Sequence, residues 1–224
     1  MRGNAYKLRK NMHRKIKSQG VGMINDIKRD YEEKKDIIKD RLNDFKQDRN
    51  DEELFYELCF CLLTPQSSAK AADKCIKNLK ERDFYNAEAF NPAKLIVNVR
   101  FNNNKAKYLM EAKEKFPLIK KKLNEIKNNE ELRLWLVKNV KGLGLKESSH
   151  FLRNIGYRGL AILDRHILKN LHKSNVINEL PKTLTPKVYF EIEKKFKDFS
   201  REVSIDMDEL DLLFWSMETG EVFK

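Results

Sequence analysis

The segment Gly142-Leu143-Gly144-Leu145-Lys146 sets an amine two residues past a glycine pair, and Asp164 stands 18 positions after Lys146. A lysine amine can act as a nucleophile toward an electrophilic carbon, and an aspartate can stabilise a developing positive charge and help move a proton. Each residue also has a simpler reading. Lys146 could contact a phosphate, and Asp164, followed by Arg165-His166-Ile167 with apolar Leu168 and Leu171, could be an ordinary helix N-cap.

Periodicity supplies the elements that carry this pair. Apolar residues recur at helical spacing almost throughout, no segment keeps a period-two alternation, and the expected fold class is all-α. Asn128, three before Glu131, has the pattern of a capping box and should open a helix with Leu132, Leu136 and Val140 on one face. That helix must stop at Gly142-Leu143-Gly144, and periodicity resumes with Phe151 and Ile155. Residues 129–156 therefore read as helix, tight glycine turn, helix. The amide groups opening the second helix lack intrahelical partners and sit at the positive end of its dipole, so Gly142 and Gly144 are candidates for close approach of a phosphate. Alone, this pattern more often marks a plain helix–helix turn.

Elsewhere the spacing predicts helices at about 24–47, 51–64, 67–80, 86–89, 92–99, 103–115 and 117–127. The first should bury Ile24, Ile27, Tyr31, Ile37, Ile38, Leu42 and Phe45, and Thr64-Pro65 should end the second. Residues 1–22 are basic, show no obvious apolar face, and read as an N-terminal arm or an expression remnant ahead of one domain over 23–224.

Composition narrows the function classes. With 46 Lys and Arg against 34 Asp and Glu, the net charge is +12, which favours a polyanion such as DNA, RNA or an anionic surface; a solvated lysine-rich surface is the alternative. No stretch approaches the roughly 20 apolar residues of a membrane span, and the N-terminal residues lack the apolar core of a secretory signal, so a cytoplasmic location is expected. The three cysteines, Cys59, Cys61 and Cys75, form no C-x-x-C pair, and Cys59 and Cys61 read as small buried hydrophobes. No His, Cys or carboxylate cluster has metal-ligand spacing, and no phosphate-loop or dinucleotide signature appears, so neither a metal nor a cofactor is expected.

Together, the hairpin lysine, the glycine-containing loop Gly156-Tyr157-Arg158-Gly159 and the string Leu163-Asp164-Arg165-His166 resemble the helix–hairpin–helix DNA glycosylases. Their signature is a hairpin of L-P-G-V-G-x-K-T-A type followed by an aspartate in a V-D-T-H-like string. Here Val140-Lys141 replaces Leu-Pro, and the loop has no proline. Within that superfamily, Leu58–Thr64, Val99-Arg100-Phe101-Asn102, Ser149–Tyr157 and the ending Thr219–Lys224 resemble the compact, archaeal-type 8-oxoguanine DNA glycosylase/lyases, from about residue 24 onward.

The resemblance implies two helical subdomains with the active site in the cleft between them, and a monomer acting on double-stranded DNA that contains 8-oxoguanine. It implies that Lys146 attacks C1′ of the damaged nucleotide and displaces the base, and that Asp164 stabilises charge on the sugar. A free lysine is neutral in only about one molecule in two thousand at pH 7, so such a site must favour the neutral amine. The base must leave the stack. Gln66 matches a glutamine that relatives carry in L-L-S-A-Q and could fill the gap or read the opposite base, or be a surface residue capping the next helix. Lys224, Trp215 and Phe101 become base-recognition candidates, the lysine through its carboxylate and the aromatics by stacking; core packing is the alternative for the aromatics. A glycosylase for another damaged base, or a non-enzymatic helix–hairpin–helix DNA-binding module, would share much of this pattern.

Overall fold

The computed structural model describes the backbone of residues 2–88 and 90–222 and the side chains from Gly22 onward within those limits. Among the described residues the regular structure is helical: α1 (Arg2–Asp44), α2 (Asp51–Leu63), α3 (Ala69–Glu81), a 3₁₀ turn at Pro92–Lys94, α4 (Asn102–Glu125), α5 (Asn129–Asn139), α6 (Leu145–Asn154), α7 (Arg165–Lys173), α8 (Pro186–Val203) and α9 (Met207–Thr219). None of these helices is long and apolar enough to cross a membrane. Among the described residues the chain divides into two compact units, one of residues 41–162 and the other of residues 2–40 together with 163–222.

In the Arg41–Ile162 unit the apolar α2 is the central helix. Asn50 and Glu53 cap its start reciprocally, and Phe55, Tyr56 and the run Leu58–Leu63 are buried. It packs against α3, α4 and α6. Phe55 anchors an aromatic cluster, with ring centroids 5.2–5.8 Å from Tyr56, Phe84, Tyr85 and Phe116. Cys59 and Cys61 are buried within the same helix, as their apolar neighbours suggest.

The other unit joins α1, up to Asp40, to α7, α8 and α9. Phe196 of α8 stacks on Phe214 of α9 at 6.1 Å. Tyr31 of α1 donates to Glu209 at 2.6 Å, and Lys34 donates to Ser216 at 3.1 Å.

Several expected boundaries are corrected. The first helix begins at Arg2, so the backbone of residues 2–22 continues α1. Ile38 is fully buried while Ile37 is 61% exposed, because adjacent helical residues lie about 100° apart and cannot share one face. Ile24 is only half-buried. The two helices expected at 103–115 and 117–127 are one helix with Pro117 inside it. A proline there costs about 3 kcal/mol, but burying each of Leu109, Phe116, Ile119 and Leu123 returns roughly 1.5–3 kcal/mol, so the packed face carries the helix through. The helix expected at 92–99 shrinks to the 3₁₀ turn, and residues 86–88 form turn and bend rather than helix. Lys113 holds that turn by donating to the Phe84 and Ala87 carbonyls.

Candidate active site

The predicted hairpin is present. Asn128 caps α5 by accepting from the Glu130 and Glu131 amides at 2.9 and 3.0 Å, and Leu132, Leu136 and Val140 are buried. Leu143 is buried in the turn, and its amide donates to the Val140 carbonyl at 3.2 Å. The two glycines do different work. Gly142 has φ +95°, and a Cβ there would stand 2.6 Å from Tyr108 of α4 and 3.1 Å from Leu62 of α2, so conformation and space both require glycine. Gly144 is extended (φ −95°, ψ −172°) and serves as the N-cap of α6. Its carbonyl accepts from Ser148 at 2.9 Å, and its amide donates to the Glu147 carboxylate at 3.2 Å.

Lys146 lies in the first turn of α6 with its side chain 25% exposed. Its Nζ is 3.4 Å from Glu147 Oε1. Glu147 therefore spans the amide at the hairpin tip and the amine, two groups that an incoming phosphate would also seek.

After α6 the chain must turn sharply. Gly156 has φ +97°, and a Cβ there would come within 3.1 Å of the Phe45 carbonyl oxygen. Tyr157 donates to the Leu123 carbonyl at 2.9 Å and Arg158 to the Leu42 carbonyl at 2.8 Å. The following run Leu160–Leu163 is buried and delivers Asp164 to the start of α7. Asp164 Oδ1 accepts from the His166 and Ile167 amides at 2.8 and 2.9 Å. The N-cap reading is thus correct. Both cap bonds use Oδ1, so the cap does not commit Oδ2. Lys146 belongs to the Arg41–Ile162 unit and Asp164 to the other.

Gln66 and Phe101 lie in the same unit as Lys146. Gln66 is exposed between α2 and α3 with φ 54°. It does not cap α3; Ser68 does, accepting from the Ala71 amide at 3.1 Å. Phe101 immediately precedes α4 with φ 58° and is 55% exposed, which excludes core packing. The Arg100 guanidinium sits 5.6 Å from its ring centroid. In the other unit, Trp215 is half-buried on α9, which packs on α7. Lys224 lies outside the described residues. His150 is buried edge-on to Phe60 at 5.8 Å, which gives it a packing role. No group of three or more His, Cys, Asp or Glu able to hold a metal ion occurs among the described residues.

The sequence reading missed three residues here: Glu147, Ser67 and Lys105. Lys105 is 4% exposed on α4 and bonds to the backbone beside Gln66. One signal was available, since Lys105 stands four before buried Leu109 and so falls on the apolar face of α4.

A family model described as 8-oxoguanine DNA glycosylase matches residues 38–205. The chain belongs to this family. A relative from Fusobacterium nucleatum, named 8-oxoguanine DNA glycosylase/AP lyase, is 48% identical over 211 residues, covering 90% of this chain and 97% of the relative. The crystal structure of the Methanocaldococcus jannaschii 8-oxoguanine DNA glycosylase superposes with a TM-score of 0.82 at 38% identity, covering 91% of this chain and 97% of that one. The glycosylase/lyase of the same organism, in complex with a 15mer DNA containing 8-oxoguanine, superposes at 0.79 and 38% identity, covering 88% and 99%. The resemblance carried by the hairpin and the Asp164 string thus extends across most of the fold, and the family spans bacterial and archaeal chains.

Proposed function

We propose that this protein excises 8-oxoguanine from double-stranded DNA and then cleaves the strand as a lyase. Family membership, combined with an accessible lysine on the second helix of the hairpin, is the observation that carries this reading. Lys146 is the nucleophile. Its neutral amine attacks C1′, the C1′–N9 bond breaks, and the base departs with the electron pair and takes up a proton. The amine loses a proton, the sugar ring opens, and a Schiff base joins Nζ to C1′. Loss of a C2′ proton then expels the 3′ phosphate by β-elimination. Asp164 stabilises positive charge developing on the sugar while its Oδ1 keeps the helix cap.

Gly142 and Gly144 admit the phosphate backbone, a contact that positions without reading sequence. Arriving phosphate competes with the Glu147 carboxylate for the Gly144 amide. Gln66 enters the duplex as the damaged nucleotide leaves the stack, and Phe101 presents an exposed ring for stacking. Trp215 and Lys224 serve base recognition. The protein works as a monomer on cytoplasmic DNA, without a metal or cofactor.

A panel of duplexes carrying 8-oxoguanine, an oxidised pyrimidine, an abasic site or no lesion tests the reading. Release of free 8-oxoguanine together with a β-elimination nick is expected. Excision confined to a different base would move the protein to another substrate. Binding without any excision would leave only a DNA-binding module.

A further inference from the structure

Lys105 is buried, yet its ammonium is fully engaged. Nζ donates to the carbonyls of Leu63 and Pro65, each at 2.7 Å, and to Ser67 Oγ at 3.1 Å. A protonated lysine has three N–H donors, and these three bonds use them all. Ser67 Oγ also accepts from the Arg100 amide at 3.0 Å. The Lys105 amide in turn donates to the Phe101 carbonyl at 3.0 Å. The Lys105 side chain therefore clamps residues 63–67 and reaches Arg100, next to Phe101, through the shared Ser67 hydroxyl, while the amide bond to Phe101 is the first backbone bond of α4.

Each of these segments holds a non-glycine residue in left-handed backbone: Gln66 at φ 54° and Phe101 at φ 58°. Such a conformation costs on the order of 1–3 kcal/mol and persists only where the surroundings over-determine it. Both side chains are exposed, so neither is held there by its own packing. A buried lysine is itself an expensive residue on the apolar face of α4, where a methionine would fill similar space without a desolvation cost. Burial draws its pKa down to about 8, the Lys146 cation acts in the same direction, and Cys75 and Glu147 oppose them. At neutral pH the amine remains mostly charged and keeps all three donors.

We propose that Lys105 is a positioning residue for base excision: through its own bonds and through Ser67 it holds Gln66 and Phe101 in the backbone conformations from which the first enters the duplex and the second stacks. The inference rests on the roles given above to Gln66 and Phe101. It assigns a purpose to a buried charge that neither the chemistry at C1′ nor the packing of α4 requires.

A cycle of single-turnover excision rates on an 8-oxoguanine duplex tests it. Lys105→Met, the pair Gln66→Ala with Phe101→Ala, and the triple variant are compared with the unsubstituted protein. Lys105→Met should lose about 100-fold, the scale of a misplaced contact group. The triple variant should be no slower than the double, because Lys105 acts through the two residues already removed. Losses that multiply, or a Lys105→Met rate within about twofold of the unsubstituted rate, overturn the inference. Ser67→Ala decides the matter if Lys105→Met does not fold. It keeps the ammonium and removes the shared hydroxyl, and about a tenfold loss that vanishes in the Phe101→Ala background is expected. An unaltered Ser67→Ala rate then overturns the inference. If the unsubstituted protein excises nothing from this duplex, the functional reading falls, and this inference with it.

Discussion

Asp164 holds the start of a helix, and the proposed mechanism asks the same carboxylate to serve chemistry. Its Oδ1 accepts two amides at the start of α7. Asparagine caps helices about as well as aspartate, so Asp164→Asn separates the two roles. Thermal stability should stay close to that of the unsubstituted protein, while excision falls about 100- to 1,000-fold, the scale of a lost charge-stabilising group. An unchanged rate would reduce Asp164 to a cap. Gly142 and Gly144 give a second contrast at this scale. Gly142→Ala meets both a positive φ and a Tyr108 atom at 2.6 Å, whereas Gly144 is extended. Denaturant unfolding should show Gly142→Ala at least about 2 kcal/mol more destabilising than Gly144→Ala.

Among the elements, the pairing of α7 with α9 carries a measurable electrostatic component. Lys169 and Lys173 of α7 both bond to Glu218 of α9, the second at 2.9 Å. These bonds hold the Glu218 carboxyl at a pKa of about 2, below its ordinary 4.5. A depressed carboxylate stabilises the fold above its unfolded pKa and loses that contribution as pH falls toward the folded value. Glu218→Gln should therefore lower Tm by about 2–4 °C at pH 7, roughly 1 kcal/mol for exposed lysines on a mostly buried carboxylate. The difference should shrink as pH falls and be lost as it passes below about 2, which thermal melts across that range would reveal.

The hairpin was legible because its signals are local: a cap residue, an apolar face, two glycines and a resumed period. Asp164 was legible for the same reason. For Lys105 only the helix face was legible; its bonds were not, because the Leu63 and Pro65 carbonyls stand about 40 positions away and only the packed fold brings them to it. Helix continuity through Pro117 was hidden likewise, since local propensity argues for a break and only the buried face of α4 overrides it. Exposure of Phe101 was also beyond sequence pattern, because its left-handed backbone is fixed by neighbours in space.

At the scale of the whole molecule, a net charge of +12 sets the terms of any encounter with DNA. Binding that neutralises phosphates releases counterions, so affinity for an undamaged duplex should fall about 100-fold or more between 50 and 200 mM salt, the loss expected for roughly four contacts. Affinity that barely responds to salt would mean that the lysine-rich surface is merely solvated.

The proposed mechanism turns on a covalent bond between Lys146 and the damaged nucleotide. Borohydride reduction during reaction with an 8-oxoguanine duplex traps a Schiff base irreversibly. A protein–DNA adduct is expected with the unsubstituted chain and none with Lys146→Gln, provided that the variant still binds the duplex. An adduct that persists in Lys146→Gln, or the absence of any adduct while free base is released, would contradict it.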